Sequence, residues 1–139
     1  FRNAKMHLKP RNHPNFTEKD FKANLVKGKN HWHQCLSAMG LSWRQRCERG
    51  QPVDVPAIDL GPAQLLLLPG ESYVEYQLAA QEMRQDSFVL VAGYGEGGTG
   101  YIPTEKHWEE KDGNLGDWCW VHPGAEKVML KAIRKALVP

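Results

Sequence analysis

The sequence predicts an α/β fold in which a mixed sheet contains a βαβ unit and is flanked by helices. Two short apolar runs, 65–68 and 88–92, carry no charged residue and are typical of strands in a parallel sheet. Between them, Tyr73, Tyr76 and Ala80 are spaced as one face of a helix. A helix of this length is the crossover that a parallel pair requires. We therefore expect both runs to be strands buried on both faces.

The whole chain has the composition of one ordinary folded unit. It has 139 residues, of which 41% are hydrophobic and 24% are charged. We expect residues 1–139 to form a single unit with two portions: an irregular arm plus two helices over 1–50, and the α/β portion over 51–139. Prolines and asparagines interrupt residues 1–16, which predicts an irregular arm. No apolar run is long enough to cross a membrane.

Two helices are predicted after the arm. Thr17 is expected to cap the first helix, which ends at Gly28. The second helix carries an apolar stripe that we expect in the core, formed by Trp32, Leu36, Met39 and Trp43. His31 and His33 flank Trp32, but on a helix two residues apart point in divergent directions. This pair is therefore a weak metal candidate, and we assign it no role.

The remaining elements follow from turns and periodicity. Residues 53–60 and 63–68 are expected to form a hairpin around Gly61-Pro62. Pro123 is expected at the first position of a final helix. The inner face of that helix consists of Met129, Ala132, Ile133, Ala136 and Leu137. The three cysteines lack metal-type spacing, so we expect them to be small buried hydrophobic residues.

Charge is distributed unevenly along the chain. Residues 1–50 hold eleven Lys/Arg and three Asp/Glu, whereas residues 51–139 hold seven and thirteen. A basic front half can indicate an anionic partner, or it can pack on an acidic surface. The basic residues are scattered along the front half, so we expect no nucleic-acid partner.

Titratable groups follow both apolar runs of the βαβ unit. Glu71 comes after Pro69-Gly70, and the glycine-rich loop 93–100 comes after the second run. The carboxyl ends of parallel strands meet at one sheet edge, where ligand crevices form. Glu71 could there serve a metal or a substrate, or simply complement a helix dipole, and spacing alone leaves both readings open. The loop lacks the Lys-Ser/Thr pair of a phosphate cradle, and Pro103 opposes a helix directly after it.

Several segments resemble the end of the catalytic domain of neutral/alkaline, non-lysosomal ceramidases. They are Leu68-Pro69-Gly70-Glu71, Tyr76-Gln77, Val91-Ala92-Gly93-Tyr94-Gly95 and Gly100-Tyr101-Ile102-Pro103-Thr104. The likeness is to the shorter bacterial homologues that lack the C-terminal immunoglobulin-like domain. It is specific over 65–104 and looser from the helix around Trp43 to the final helix. The resemblance implies that this chain is the C-terminal part of a larger α/β catalytic domain, or a product of its cleavage.

The resemblance also implies a zinc site. Family members are amidases that hold one zinc ion with two histidines, a glutamate and a tyrosine; by motif, these last two are Glu71 and Tyr101. Zinc would activate a water molecule for attack on the N-acyl bond of ceramide or a related amide. We expect the neighbouring loop residues to bind substrate or to support the loop. These residues are Gly70, Tyr94, Gly95, Gly98, Thr99 and Gly100.

The chain departs from the family pattern in two places. No segment matches the two zinc histidines or the catalytic arginine, so the catalytic residues stay unassigned. Where ceramidases carry a substrate-side tyrosine, this chain has Lys111-Asp112-Gly113. We expect the upstream remainder of the same protein to supply the missing ligands, so this chain alone should bind zinc poorly and be inactive.

The resemblance implies further partners, and the residues leave two alternative functions open. The resemblance implies an exported protein, periplasmic or secreted, that acts on a small amide or lipid and associates with a membrane surface. One alternative is a non-catalytic lipid- or carbohydrate-binding domain that keeps the fold. Another is an anion-binding module that uses the basic front half.

Overall fold

The computed structural model describes residues 1–138 and confirms the predicted α/β class. Its strands are β1 (Arg2–Met6), β2 (Val53–Asp59), β3 (Ala63–Pro69), β4 (Glu71–Ser72), β5 (Phe88–Gly95) and β6 (Tyr101–Ile102). Its helices are α1 (Glu18–Lys27), α2 (His31–Glu48), α3 (Val74–Met83), α4 (Glu105–Glu109) and α5 (Ala125–Leu137). A short 3-10 turn follows α4 at Gly113–Leu115.

A four-stranded mixed sheet with the order β1-β2-β3-β5 forms the centre of the fold. The pairs β1–β2 and β2–β3 are antiparallel, so the predicted hairpin is confirmed. Strands β3 and β5 are parallel and are joined through α3, which confirms the βαβ unit. The register places Leu65 beside Leu90 and Leu66 beside Val91.

Helices α3 and α5 cover one face of this sheet. Helix α5 packs on β1 and β2, and α3 packs between α5 and β5. Met129 and Ile133 of α5 and Tyr76 and Ala80 of α3 are fully buried there, as their spacing predicted. The Tyr76 hydroxyl donates to the Pro103 carbonyl at 2.8 Å, which satisfies its polar atom in the core.

The other face of the sheet is not covered by any described element. In β5, Val89 is buried, whereas Phe88 and Leu90 are 66% and 44% exposed. The expectation that β5 is buried on both faces is therefore wrong. The reason is that a continuous apolar run cannot reveal whether a second layer of helices is present. In β3 the outward-facing residues Leu65 and Leu67 are half-buried.

The N-terminal arm is more regular than predicted. Residues 2–6 form β1, which pairs with β2 over five residues. Ala4 and Met6 are buried while Asn3 and Lys5 are exposed, and this alternation is the period of a half-buried strand. The prolines that suggested an irregular arm come only after this strand. The irregular remainder is tied down by Arg44, whose Nη2 donates to the Arg11 carbonyl at 2.7 Å.

The first two helices follow the predicted boundaries. Thr17 and Asp20 form a reciprocal capping box at the start of α1. The apolar stripe of α2 is only half in the core: Leu36 and Trp43 are buried, but Trp32 is 59% and Met39 is 39% exposed. Helix α2 therefore presents its first turn to solvent or to a partner.

Two smaller predictions are corrected by the structure. The last helix begins at Ala125 and not at Pro123, because Gly124 adopts φ +91° just before it. Cys119 is buried as expected, but Cys35 is exposed and Cys47 is only half-buried. No helix among residues 1–138 is long and apolar enough to cross a membrane.

Candidate functional site

Glu71 and Tyr101 lie side by side. Each is the first residue of a two-residue strand, and β4 and β6 pair in parallel with Glu71 opposite Tyr101. The Glu71 amide donates to the Gly100 carbonyl at 3.0 Å, and the Tyr73 amide donates to Ile102 at 3.2 Å. Register partners in a parallel ladder project from the same face, with neighbouring strands about 4.8 Å apart. Glu71 and Tyr101, which come from separate loops, are therefore direct neighbours, and their side chains project from the same face.

Trp118 holds the Glu71 carboxylate. Its indole Nε1 donates to Glu71 Oε1. Trp118 reaches this position because residues 118–120 run antiparallel to 99–101, through an isolated bridge between Gly100 and Cys119 and a 2.8 Å bond from the Tyr101 amide to the Trp118 carbonyl. One carboxylate oxygen is thus fixed by an N–H donor, which orients the other.

Two open clefts meet at this pair. The first has a volume of about 370 Å³ and is lined by Trp32, Glu71, Tyr101, Gly113, Asn114, Asp117 and Trp118. The second has a volume of about 280 Å³ and is lined by Gly70, Glu71, Ser72, Tyr73, Val74, Gly93, Tyr94 and Tyr101. Glu71 and Tyr101 are common to both, so either cleft gives a ligand access to them.

An aromatic pair forms one wall of the first cleft. The rings of Trp32 and Trp118 are stacked with centroids 5.7 Å apart and an interplanar angle of 1°. Trp32 comes from the first turn of α2 and is more than half exposed. This wall presents a flat apolar surface next to the carboxylate of Glu71.

The Tyr73 ring packs against the Tyr101 ring. The two rings meet edge to face at 5.7 Å, and the Tyr73 hydroxyl donates to Asp112 Oδ2 at 2.8 Å. Burial, followed by the hydrogen bond to Asp112, raises the pKa of Tyr73 well above its usual value. Tyr73 therefore stays neutral and keeps donating throughout the physiological pH range.

Asp112 and His107 complete this support. The Asn114 amide and the Tyr73 hydroxyl hold the pKa of Asp112 below its usual value. The His107 ring packs against Tyr73 at 4.4 Å, while its Nδ1 lies 2.8 Å from Thr104 Oγ1 and its Nε2 lies 3.4 Å from Glu75. These contacts hold the Tyr73 ring in place, and the Tyr101 ring packs against it.

Four of the six residues predicted to bind substrate or support the loop have structural roles. Gly70 (φ +48°) and Gly100 (φ +63°) adopt left-handed backbone conformations in which a Cβ would collide with Thr99 and with the Trp118 carbonyl, respectively. A Cβ on Gly95 would lie 2.7 Å from the Leu68 carbonyl. Buried Thr99 donates from Oγ1 to the Gly100 carbonyl at 2.8 Å. These four residues support the loop.

Tyr94 and Gly98 have different positions. Tyr94 is 80% exposed, adopts φ +58° and lines the second cleft with Glu71 and Tyr101. Gly98 lies away from both clefts, in a separate groove beside α2. Of the predicted loop residues, Gly70 and Tyr94 therefore reach the site itself.

The metal-ligand set in the described chain is incomplete. Among residues 1–138, no group of three or more His, Cys, Asp or Glu side chains could hold one metal ion. His31 and His33 lie on the first turn of α2, where His31 contacts Gln34 and His33 contacts Asn30. A tetrahedral zinc site that used the oxygen atoms of Glu71 and Tyr101 would need two further ligands from elsewhere.

Sequence reasoning missed three contributors to this site: Trp118, Tyr73 and Asp112. In the sequence, Tyr73 is spaced as a helix-face residue, and Trp118 belongs to no motif. Their roles depend on pairings between distant segments, so no local pattern signalled them.

Comparisons with protein-family models, with curated proteins and with solved structures found no match for this chain.

Proposed function

We propose that this chain is the C-terminal part of a zinc-dependent amide hydrolase that resembles the neutral ceramidases. The observation that supports this most directly is the pairing of Glu71 with Tyr101 at the mouth of two clefts. The residues that the motif likeness singles out are the two that the fold brings together. The substrate would be a ceramide or a related small amide or lipid.

The residues of this chain have separate tasks in the proposed site. Trp118 donates to Glu71 Oε1, so the second carboxylate oxygen would be the one that binds a cation. Outer donors of this kind orient metal ligands and raise metal affinity. Tyr73 positions the Tyr101 ring, whose hydroxyl would be the second ligand. Zinc, when bound, would supply a Lewis acid for amide hydrolysis.

The upstream remainder of the same protein is the proposed partner. It would supply the missing ligands and cover the bare sheet face of Phe88 and Leu90. Parallel strands in α/β proteins normally carry helices on both faces, whereas β3 and β5 carry described helices on one face only. The exposed apolar face thus supports a larger catalytic domain, from which the two missing ligands would come.

A zinc titration followed by tryptophan fluorescence tests the proposal. We expect weak binding by the wild-type chain, reported by Trp118, and a loss of affinity of about tenfold or more in Glu71→Gln and Tyr101→Phe. Glu82→Gln, at an exposed position of α3, is the matched control and should bind as the wild type does. Zinc binding at surface histidines should be the same in all four proteins, because none of the three substitutions changes a histidine. Equal affinities in all four would contradict the proposal.

The second candidate function is carbohydrate binding without catalysis. The exposed, stacked Trp32–Trp118 pair beside Glu71, Asn114 and Asp117 favours it, because flat aromatic surfaces next to polar side chains suit sugar rings. Trp32→Ala separates the two functions. It should abolish oligosaccharide binding under this candidate, whereas it should leave zinc affinity unchanged under the first.

A further inference from the structure

A larger cleft lies beside the candidate site and has no role in it. Its volume is about 530 Å³, and it is bounded by α1, the start of α2 and the segment 116–120. Three aromatic side chains form its floor: Phe16, Phe21 and Trp120, which are 7%, 6% and 2% exposed. A cleft of this size with an apolar floor matches the usual form of small-molecule sites.

One small polar side chain lies in the wall of the cleft. Ser37 is 5% exposed and lines the cleft next to Leu36. A serine hydroxyl both donates and accepts hydrogen bonds. A polar atom of a ligand in the cleft can therefore bond to it.

The rim of the cleft is cationic. Lys27 and Lys29 both line it, and in the described part of the chain neither lies within 4.0 Å of a carboxylate. Asp117 is the one acidic residue among the described residues of its lining. Two unpaired ammonium groups above an apolar floor favour a ligand with a negative group at one end.

We propose that this cleft binds an amphipathic anion, a small molecule with a planar apolar body and a single anionic group. The apolar body rests on Phe16, Phe21 and Trp120. The anionic group lies between Lys27 and Lys29, and the Ser37 hydroxyl bonds a polar atom of the ligand. This site is separate from the proposed zinc site and does not depend on it.

The probe 8-anilinonaphthalene-1-sulfonate, which has this chemistry, provides the test. Its fluorescence is titrated against the Leu90→Lys variant, in which binding at the exposed face of β5 is suppressed. We expect one site per chain and energy transfer from tryptophan. The double variant Lys27→Ala/Lys29→Ala in this background should bind at least about fivefold more weakly and show less salt dependence.

Two controls make the result decisive. Lys19→Ala/Lys22→Ala removes two exposed lysines of α1 outside the cleft lining and should leave affinity unchanged. In NMR spectra, the probe should shift the Trp120 indole and Ser37 amide signals. The proposal is overturned if both lysine pairs have the same effect, if Leu90→Lys alone removes binding, or if those two signals stay in place.

Discussion

Glu71 and Tyr101, which lie 30 residues apart in sequence, are direct neighbours in the parallel ladder of β4 and β6. Trp118 then binds the Glu71 carboxylate and Tyr73 packs against the Tyr101 ring. The pair is therefore fixed by backbone pairing and by one aromatic residue on each side. Under the proposed function, such support would hold two metal ligands in place before the ion binds.

The loop that carries Tyr101 depends on Gly100. Gly100→Ala should lower the free energy of unfolding by about 2 kcal/mol or more, because φ is +63° and a Cβ would collide with the Trp118 carbonyl. Gly98→Ala is the matched control, since its Cβ would meet no atom within 4 Å. Urea denaturation measures both. Equal stability of the two variants would show that the loop is not held as described.

The bare sheet face should make the isolated chain self-associate. Leu90→Lys places a charge on that face, in the edge strand β5, and should keep the chain monomeric at concentrations where the wild type associates. Val26→Lys changes an equally apolar residue that is 79% exposed on α1, and it should behave as the wild type does. Sedimentation velocity distinguishes them. A wild-type chain that stays monomeric would argue against an unsatisfied apolar face.

Asp112 should make stability depend on pH in the acid range. Its folded-state pKa is lowered by the Asn114 amide and then by the Tyr73 hydroxyl, so its stabilising contribution is present above the unfolded pKa of about 3.9. That contribution is lost as the pH falls through the lower folded-state pKa. Asp112→Asn should therefore be less stable than the wild type at neutral pH, and the difference should shrink in strong acid.

Denaturant midpoints at several pH values measure this effect. Tyr73→Phe removes one of the two donors and is expected to reduce the pH dependence without abolishing it. A difference between Asp112→Asn and the wild type that is constant across the pH range would contradict the assignment.

The three thiols should react at different rates. Cys35 is exposed, whereas burial raises the pKa of both Cys47 and Cys119 to about 11. At mildly alkaline pH a disulfide reagent should modify Cys35 quickly, half-buried Cys47 more slowly and buried Cys119 only after unfolding. Mass spectrometry of the labelled protein identifies the sites. Rapid modification of Cys119 in the native protein would contradict its burial.

The elements that could be predicted from the sequence are those whose signals are local. The hairpin, the βαβ unit and the inner face of α5 all follow from periodicity over a few residues, and all are confirmed. Strand β1 also has a local signal, the alternation of Ala4 and Met6, but the prediction of an irregular arm rested on the prolines and asparagines that follow it.

The remaining features depend on contacts between distant segments. Trp118 reaches Glu71 because Cys119 pairs with Gly100. The hydrogen bond from Tyr73 to Asp112 likewise joins two segments that are distant in sequence. Neither has a sequence period. The exposed face of β5 was also unpredictable, because an apolar run gives the same pattern whether its second face is covered or bare.

Anomalous diffraction at the zinc edge, from crystals soaked in zinc chloride, tests the central claim most directly. We expect a peak about 2.0–2.2 Å from one Glu71 carboxylate oxygen and from the Tyr101 hydroxyl, with solvent completing the coordination. Peaks at surface histidines alone, or a Glu71-bound ion from which Tyr101 is turned away, would contradict it. Glu71 would then be a carboxylate held by Trp118 without a metal role.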